Sequence, residues 1–408
     1  MAQAGRANGE EEARETITAG RLPFQVQHYQ RGERAMDMTR RGVLAGGAAL
    51  LLASRAGAAP AGFDDRLYRK AIVIDGLGAV SDPDFKPGMT RFTPRGLAEM
   101  RASGATAIQM TVADPGNDVS LEQAVQALAG GDQVIADNPD ILLHALTAAD
   151  IRAAKASGRI AIVYGLQDSA VIGPVLDRVA LFRGLGVRVI QLTYNLRNLS
   201  GDGSLEPANA GLSRLGRATI ERIEAERLLL DLSHGGQRTI AEGIAAAKRP
   251  LTISHTGCRS LHDNPRNVWD AELKALADKG GVAGVYWMPF LVPGGKPTKD
   301  DLIRHMAHAV DVCGEDHVAI GTDGMLSATV IDDDARANQK KFYEDRAAKG
   351  IAAPGEGPDV FNLVMDYNSH MRFRMLADDL ARAGWPAARI EKILGGNLLR
   401  LYGEVWGG

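Results

Sequence analysis

Short apolar runs alternate with longer amphipathic segments through most of the chain, and this alternation constrains the fold more than any other feature. The runs are AIVID, ATAIQMTV, IAIVYGLQ, VRVIQLTY, LLLDLSH, PLTISH, GGVAGVYWM and HVAIGTD. Near-continuous Val, Ile and Leu, without polar alternation, is typical of parallel strands that are buried on both faces. About eight such strands, most of them followed by room for a helix, predict an α/β fold of the (β/α)8 TIM-barrel type. A doubly wound open sheet is the alternative.

The segments between these runs carry apolar residues at helical spacing and are bounded by Gly, Asp or Pro. This pattern predicts helices over 92–103, 119–137, 145–157, 174–185, 209–226, 236–248, 268–279 and 298–314. After the last run, residues 325–360 are polar and contain Gly and Pro. A long loop at the carboxyl end of a barrel strand is expected to be either a lid or an ordinary surface insertion. The helices that follow it would close the barrel or contact a neighbouring copy, which leaves a homodimer open.

The charge balance gives no sign of a nucleic-acid partner. The chain has 47 Lys and Arg against 50 Asp and Glu, a net charge of -3 at pH 7, and the two signs are interspersed. A small polar substrate is therefore the better expectation. The two cysteines, Cys258 and Cys313, form no CxxC pair and are too few for a disulfide framework, so we interpret them as small buried hydrophobes.

An export signal is predicted near the N-terminus. Arg40 and Arg41 precede the stretch GVLAGGAALLLA, which is too short to span a bilayer comfortably. The small residues Ala56, Gly57 and Ala58 then supply a cleavage pattern. Paired arginines in this position are typical of the twin-arginine route, which exports folded proteins. A chance arginine pair before an ordinary apolar helix is the alternative.

We therefore divide the chain into residues 1–62, an N-terminal extension with a twin-arginine-type signal peptide, and residues 63–408, a single barrel domain with C-terminal helices. The polar sequence ahead of the paired arginines favours Met36 or Met38 as the natural start. The mature protein is expected to be periplasmic or secreted, without stable insertion in the membrane.

Several of the apolar runs end in a polar residue at the point where a strand would stop. His234 and His255 do so on two consecutive runs. Because neighbouring parallel strands direct their carboxyl ends to one face of a barrel, these two imidazoles are expected to meet there. Neutral imidazole is a good zinc ligand, although one strand-end histidine in isolation would more often be structural. The other polar strand ends are Asp75, Gln167, Tyr194 and Asp323.

These residues stand within motifs that resemble a known family. The motifs are GLGVRVIQLTYNLRNLSGDG, LLLDLSHGG, PLTISHTGCRSLHDNPRNV, GGVAGVYWMP, DHVAIGTDG and GGNLLRLYGEV. Their set and order over residues 70–405 resemble the membrane dipeptidases, also called renal dipeptidases, a family of metallopeptidases. The resemblance implies a barrel of the metal-dependent hydrolase type with a binuclear zinc centre. It also implies hydrolysis of dipeptides, often with a D-residue at the second position.

Transferred residue by residue, the resemblance makes His234 and His255 ligands of one zinc ion. It places Arg266, in HDNPRN, where the family binds the substrate carboxylate, and Asp323 where the family holds the free amine and transfers protons. The residue types suit these roles, since a planar guanidinium can hold a carboxylate through two hydrogen bonds. Arg266 taken alone would more often be a solvated or capping arginine.

The chain departs from the family pattern mainly at one metal. The first strand of the family ends in His-x-Asp, whereas this chain has Leu77 and Ala79 at those positions. The carboxylate that bridges the two metals is replaced by Gln167, a weak ligand, and the histidine that polarises the scissile carbonyl is replaced by Tyr194. One zinc ion is therefore expected rather than two.

Three protein ligands and an open position for water would make a catalytic zinc site. His234 and His255 would supply two of them, and either Asp323 or the Gln167 carbonyl the third. Tyr194 would then donate a hydrogen bond to the developing oxyanion. We expect a metallohydrolase that cleaves dipeptides or a related small amide with a metal-activated water. A metal-poor barrel that binds a small carboxylate ligand without turnover is the main alternative, and a lyase or lactonase reaction in the same pocket is another.

Overall fold

A computed structural model describes residues 63–407, and their strands form a closed parallel barrel. Eight of the strands close the ring in the order β3, β1, β10, β9, β8, β7, β6, β5 and back to β3, whereas β4 pairs only with the start of β5. The predicted TIM barrel is therefore confirmed, and the open sheet is wrong. The strands are β1 Ile74–Asp75, β2 Gly78–Ala79, β3 Ala107–Thr111, β4 Leu142–His144, β5 Ile160–Leu166, β6 Val187–Gln191, β7 Leu229–Asp231, β8 Thr252–Thr256, β9 Val282–Val285, β10 Val318–Ile320 and β11 Gly324–Met325.

Helices follow the strands at each predicted position, with ends that differ from the predicted ones by a few residues. Several begin at the side chains expected of helix starts: Ser120 and Thr298, for example, form capping boxes with the third residue of their helices. The helices are α1 Asp65–Lys70, α2 Pro94–Ser103, α3 Leu121–Asp137, α4 Ala148–Ser157, α5 Asp177–Gly184, α6 Arg214–Ala225, α7 Gln237–Ala246, α8 Asp270–Asp278, α9 Lys299–Cys313, α10 Asp333–Ala348, α11 Arg372–Arg382, α12 Ala387–Glu391 and α13 Asn397–Trp406.

The barrel interior is packed tightly enough that backbone atoms touch across strands. A Cβ atom added at Gly284 or at Gly321 would overlap the carbonyl oxygen of Ser254. These two glycines follow one another around the ring, in β9 and directly after β10, and they leave room for β8. Their lack of a side chain is therefore what lets the barrel close around the strand that carries His255.

The C-terminal helix α13 closes one end of this interior. Leu398, Leu401 and Tyr402 join a buried cluster with strand residues such as Ile74 and Val189. Of the two alternatives for the tail, the packing supports closure of the barrel. Both cysteines are buried free thiols, as expected.

The segment after β10 differs from the prediction of a long loop, because α10 occupies much of it. Asp332 accepts a hydrogen bond from the backbone N–H of Ala335, and Asp333 and Asp334 lie in the first turn, where carboxylates favour helix formation. The ion pair between Lys341 and Asp345, one turn apart, adds further support. Polar composition here marks a solvated helix and not a loop.

None of the helices in residues 63–407 is long and apolar enough to cross a membrane. The predicted export signal and start codons lie in residues 1–62, outside the described part of the chain.

Candidate metal and substrate site

The predicted site residues come together at the carboxyl ends of the barrel strands. Gln167 directly follows β5, and Tyr194 lies just after β6. His234 follows β7, and His255 lies within β8. Asp323 follows β10 and Arg266 lies in the loop after β8, which completes the set. This is the face on which TIM-barrel enzymes carry their active sites.

Two imidazole nitrogens converge on the side-chain amide of Gln167. The Gln167 Nε2 atom lies 3.4 Å from His234 Nε2 and 3.4 Å from His255 Nε2. Ligand atoms at about 2.0–2.2 Å from a tetrahedral zinc ion are about 3.3–3.6 Å from one another. Both separations from Gln167 to the imidazoles therefore lie in the range expected for two ligands of one ion.

The proton of His234 is held on Nδ1, the ring nitrogen that faces away from the Gln167 amide. His234 Nδ1 lies 2.6 Å from Asn195 Oδ1. The orientation of the Asn195 amide is fixed because its Nδ2 donates to the carbonyl oxygen of Ile351 at 2.7 Å. The oxygen of that amide must then accept from Nδ1–H, which leaves the lone pair on His234 Nε2.

A buried chain of hydrogen bonds sets the tautomer of His255 in the same way. Asp231 accepts from the backbone N–H groups of Ser233 and Ser254 at 2.9 and 3.1 Å, and from their hydroxyls at 2.8 and 2.5 Å. Burial raises the pKa of Asp231, and the hydrogen bonds from Ser233 and Ser254 oppose that rise. Four donors on two oxygens is the arrangement of an ionised carboxylate. Since the Ser254 proton points to Asp231, Ser254 Oγ accepts from His255 Nδ1–H at 2.8 Å. Its Nε2 is left with a lone pair.

Burial keeps both imidazoles neutral. It holds the pKa of His234 and of His255 well below the usual value, and the nearby Arg266 guanidinium lowers both further. Neutral imidazoles with outward-facing Nε2 lone pairs are the form that binds a metal ion.

The amide of Gln167 can present either its nitrogen or its oxygen to the two imidazoles. Thr111 Oγ1 lies 3.3 Å from Gln167 Oε1 and donates to it when the amide nitrogen faces the imidazoles. A hydroxyl can also accept, so a rotated amide would donate from Nε2 to Thr111 and present Oε1 to the imidazole side. In the first orientation the two N–H groups satisfy the imidazoles directly. In the second the oxygen would complete a set of three metal ligands with the two imidazoles.

Tyr194 lies against the histidine pair and is held from outside by an arginine. Its ring stacks on that of His234, with centroids 4.2 Å apart. Arg346 Nη1 donates to Tyr194 Oη at 3.0 Å. Burial raises the pKa of Tyr194, and the Arg346 charge opposes that rise, so the hydroxyl stays protonated. It can therefore act as a hydrogen-bond donor.

Arg266 is a buried cation with an unsatisfied donor. The residue is 3% exposed, and its Nη2 atom has no hydrogen-bond partner among the described residues. Asp323 and Tyr194 are among the groups that act on its charge. A buried guanidinium with an unused N–H is costly unless a ligand takes that hydrogen bond. Its chemistry suits a carboxylate.

Asp323 faces the cationic side of the site but does not join the histidines. Burial raises its pKa to about 6, although the charges of Arg266 and Arg346 work against that rise. Residues 63–407 contain no group of three or more His, Cys, Asp and Glu side chains placed to hold a metal. The alternative in which Asp323 is the third ligand is therefore not supported, and Gln167 is the residue that lies beside both imidazoles.

Two of the site residues hold strained backbone conformations. His234 has φ +61° and Asp323 has φ +53°, and no other residue of the site described above has a positive φ. Left-handed backbone at a non-glycine residue costs of the order of 1–3 kcal/mol and is concentrated at functional sites. The backbone N–H of Asp323 donates to the carbonyl oxygen of Leu77 at 2.8 Å, which ties the ends of the first and last barrel strands.

The two positions that depart from the family at the first strand offer no ligand atoms. Leu77 is buried, and Ala79 is half-buried against the hydrophobic core. Neither side chain can bind a cation, and the described residues provide no carboxylate in their place at a cluster suited to metal.

Several residues of the site were missed by the sequence interpretation. They are Thr111, Asn195, Asp231, Ser254 and Arg346, each of which touches a predicted site residue or its immediate support. Only Asp231 gave a signal, as a charged residue within the apolar run LLLDL. The other four are polar residues that their neighbours in the sequence do not distinguish from ordinary strand or surface residues.

Known proteins are similar to this chain in sequence and in fold. A family model for membrane dipeptidases (peptidase family M19) matches residues 93–334. An amidohydrolase of solved structure from Pseudomonas aeruginosa is 30% identical to this chain. The alignment covers 84% of this chain and 99% of the amidohydrolase, with a TM-score of 0.72.

Two further relatives are similar over less of the chain or at lower identity. The dipeptidase verJ of Clonostachys rogersoniana is 32% identical over 219 residues, which are 52% of this chain and 56% of that dipeptidase. A metallopeptidase from Rhodobacter sphaeroides, solved with a phosphinate mimic of the dipeptide L-Ala-D-Ala, is 19% identical. The alignment covers 83% of this chain and 100% of that metallopeptidase, with a TM-score of 0.65. At this identity the similarity shows the fold alone.

Proposed function

The chain belongs to the membrane dipeptidase family of hydrolases, and we propose that it cleaves dipeptides or a related small amide at a site that holds one zinc ion. Membership implies a small peptide substrate and a metal, commonly zinc. One observation carries the proposal: His234 Nε2 and His255 Nε2, each with its lone pair outward, lie 3.4 Å from the same Gln167 amide atom.

The donor set fits one metal ion better than two. His234 and His255 supply two neutral nitrogens, and a rotated Gln167 amide supplies an oxygen, which leaves a fourth position open. Leu77 and Ala79 cannot supply ligands for a second ion. A zinc ion bound here would polarise a carbonyl and lower the pKa of a water molecule.

The remaining residues bind and orient the dipeptide. Arg266 donates its unused Nη2–H to the C-terminal carboxylate of the substrate. Asp323, as a carboxylate, holds the free ammonium group, accepts a proton from the attacking water and then passes that proton to the leaving amine. Tyr194 Oη–H donates to the carbonyl oxygen of the scissile bond as negative charge develops on it.

The proposal is tested by the metal content of protein that is purified without chelator. We expect about one zinc ion per chain, and less than half of that in His234→Ala and His255→Ala, with both variants still folded. Hydrolysis of L-Ala-L-Ala and L-Ala-D-Ala is measured on the same samples. About two ions per chain, or unchanged zinc in both variants, would contradict the single site.

A barrel that binds a small carboxylate without turnover is the competing function. It is favoured by the other orientation of Gln167, in which the two amide N–H groups satisfy both imidazoles without a metal. Arg266 would still bind the ligand. This candidate predicts no bound zinc and no hydrolysis, together with calorimetrically detectable binding of dipeptides that is lost in Arg266→Met.

We also propose that the mature protein reaches the periplasm by the twin-arginine route. Support comes from Arg40 and Arg41 ahead of the apolar stretch and from the small residues at 56–58. The mature chain should then begin near Ala59 or Gly62. Mass spectrometry of the periplasmic fraction measures this, and Arg40→Lys with Arg41→Lys should retain the precursor in the cytoplasm. Recovery of only cytoplasmic protein with residues 1–58 intact would refute export.

A further inference from the structure

The helix after the last barrel strand brings one arginine back into the site. Arg346 lies in the last turn of α10, and its Nε and Nη2 atoms are 2.6 and 2.8 Å from the two carboxylate oxygens of Glu356. Glu356 is almost fully buried in this pair, with 3% of its side chain exposed. The remaining arm of the guanidinium, Nη1, donates to Tyr194 Oη at 3.0 Å. The two-bond pair with Glu356 therefore fixes where this third bond points.

This bond determines where the Tyr194 proton can go. A guanidinium only donates, so Tyr194 Oη accepts from Arg346, and its own proton must point in another direction. The ring itself cannot move freely because it stacks on His234. Within residues 63–407, no acceptor for that proton lies at hydrogen-bond distance, and Asp323 and Arg266 are the other charged groups that act on Tyr194. The O–H therefore remains free to donate to a bound substrate.

We propose that Arg346 is a positioning residue for the reaction: by donating to Tyr194 Oη, it turns the Tyr194 proton toward the carbonyl oxygen of the bound substrate. The proposal rests on the proposed hydrolytic function and deepens it. Tyr194 touches the substrate, whereas Arg346 acts only through Tyr194. The polar segment after β10 thus contributes to the chemistry and is more than a surface insertion.

The same segment is tied to the site at a second point. The carbonyl oxygen of Ile351 accepts from Arg346 Nη2 at 3.0 Å and from Asn195 Nδ2 at 2.7 Å. Asn195 in turn holds His234 Nδ1. Loss of Arg346 could therefore disturb the histidine as well as the tyrosine, so the experiment must separate the two.

A double-mutant cycle between Arg346 and Tyr194 makes that separation. Arg346→Met should lower kcat for L-Ala-D-Ala by roughly 10- to 100-fold with little change in KM, because the lost interaction matters in the transition state. Tyr194→Phe should lower kcat by roughly 100-fold or more. In the Tyr194→Phe background, Arg346→Met should have little further effect, since no hydroxyl is left to orient.

Further variants guard against a folding defect and a loss of metal. Arg346→Lys keeps a cation beside Glu356 but cannot hold that carboxylate and Tyr194 together. The variant should therefore fold but have a kcat nearly as low as that of Arg346→Met. Arg336→Met, an exposed arginine on the same helix, is the matched control and should behave as wild type. Zinc content should be the same in all of these proteins.

Binding of a phosphinate dipeptide mimic provides a readout that does not depend on turnover. Arg346→Met should weaken binding of the mimic by roughly 10- to 100-fold and leave binding of the amino-acid products nearly unchanged, because the mimic resembles the tetrahedral transition state. Multiplicative losses of kcat in the double variant, or equal losses for mimic and products, would overturn the positioning role. Wild-type protein that neither hydrolyses dipeptides nor binds the mimic would overturn the proposed function itself, and this inference with it.

Discussion

Replacing Ser254 with Ala should separate metal binding from stability in this barrel. Ser254 Oγ donates to Asp231 Oδ2 at 2.5 Å and accepts from His255 Nδ1–H at 2.8 Å. The substitution removes both bonds. His255 can then keep its proton on Nε2, the atom that we propose binds zinc, and that proton must leave before the metal can bind.

The size of the effect follows from these two bonds. Loss of a hydrogen bond to a charged group costs about 1.5–3 kcal/mol, and a buried polar atom left without a partner, here His255 Nδ1, costs about 1–3 kcal/mol. We therefore expect Ser254→Ala to lower the free energy of unfolding of the metal-free protein by about 3–5 kcal/mol. Loss of a hydrogen bond that orients a metal ligand should lower the affinity for zinc by about 10- to 100-fold, or about 1.4–2.7 kcal/mol.

Ser233 offers a matched control, because Ser233→Ala removes a comparable bond to the same carboxylate. Ser233 Oγ donates to Asp231 Oδ1 at 2.8 Å and touches His255 only through the backbone N–H. This variant should lose stability but bind zinc nearly as tightly as wild type. Zinc affinity is measured by competition with a coloured chelator, and stability by urea unfolding of the metal-free proteins. An equal loss of zinc affinity in the two variants, or no loss in Ser254→Ala, would refute the tautomer argument.

Three other predictions concern the substrate, pH and the missing metal ligands. Arg266→Lys should raise KM for dipeptides by roughly 10- to 100-fold because an ammonium cannot hold a carboxylate through two bonds, and equal steady-state constants would show that Arg266 is structural. Burial raises the pKa of Asp323 to about 6, so kcat/KM should rise with pH through that value as the carboxylate forms, and a flat profile there would contradict its role. Leu77→His, Ala79→Asp and Gln167→Glu made together should raise metal content from about one ion per chain toward two, whereas the single changes should do little; elemental analysis that finds two ions in wild type would exclude this explanation.

Much of the fold could be predicted because its determinants are local. Each buried parallel strand requires a short apolar run, and each helix requires apolar residues at helical spacing and a cap such as Ser120. The segment after β10 was predicted wrongly for a related reason. Its helix is solvated on most sides and carries few apolar residues, so periodicity could not reveal it, and its cap at Asp332 and paired charges were the only local signs.

The site could be predicted only in part. Strand ends place His234 and His255 on one face of the barrel, which follows from parallel topology alone. Which atoms they present does not follow. Their outward lone pairs depend on Asn195 and Ser254, whose partners are set by how neighbouring loops and strands pack.

The sequence by itself therefore determined the barrel, the face that carries the site and the residue types available there, because strand and helix periodicities are properties of neighbouring residues. Only the tertiary structure decided which side chains act together. Arg346 reaches Tyr194 across 152 positions of sequence, and Asn195 reaches the backbone at Ile351 across 156. Such contacts leave no periodic trace, since a hydrogen bond between distant residues depends on the position of whole elements and not on the residues beside it in the chain.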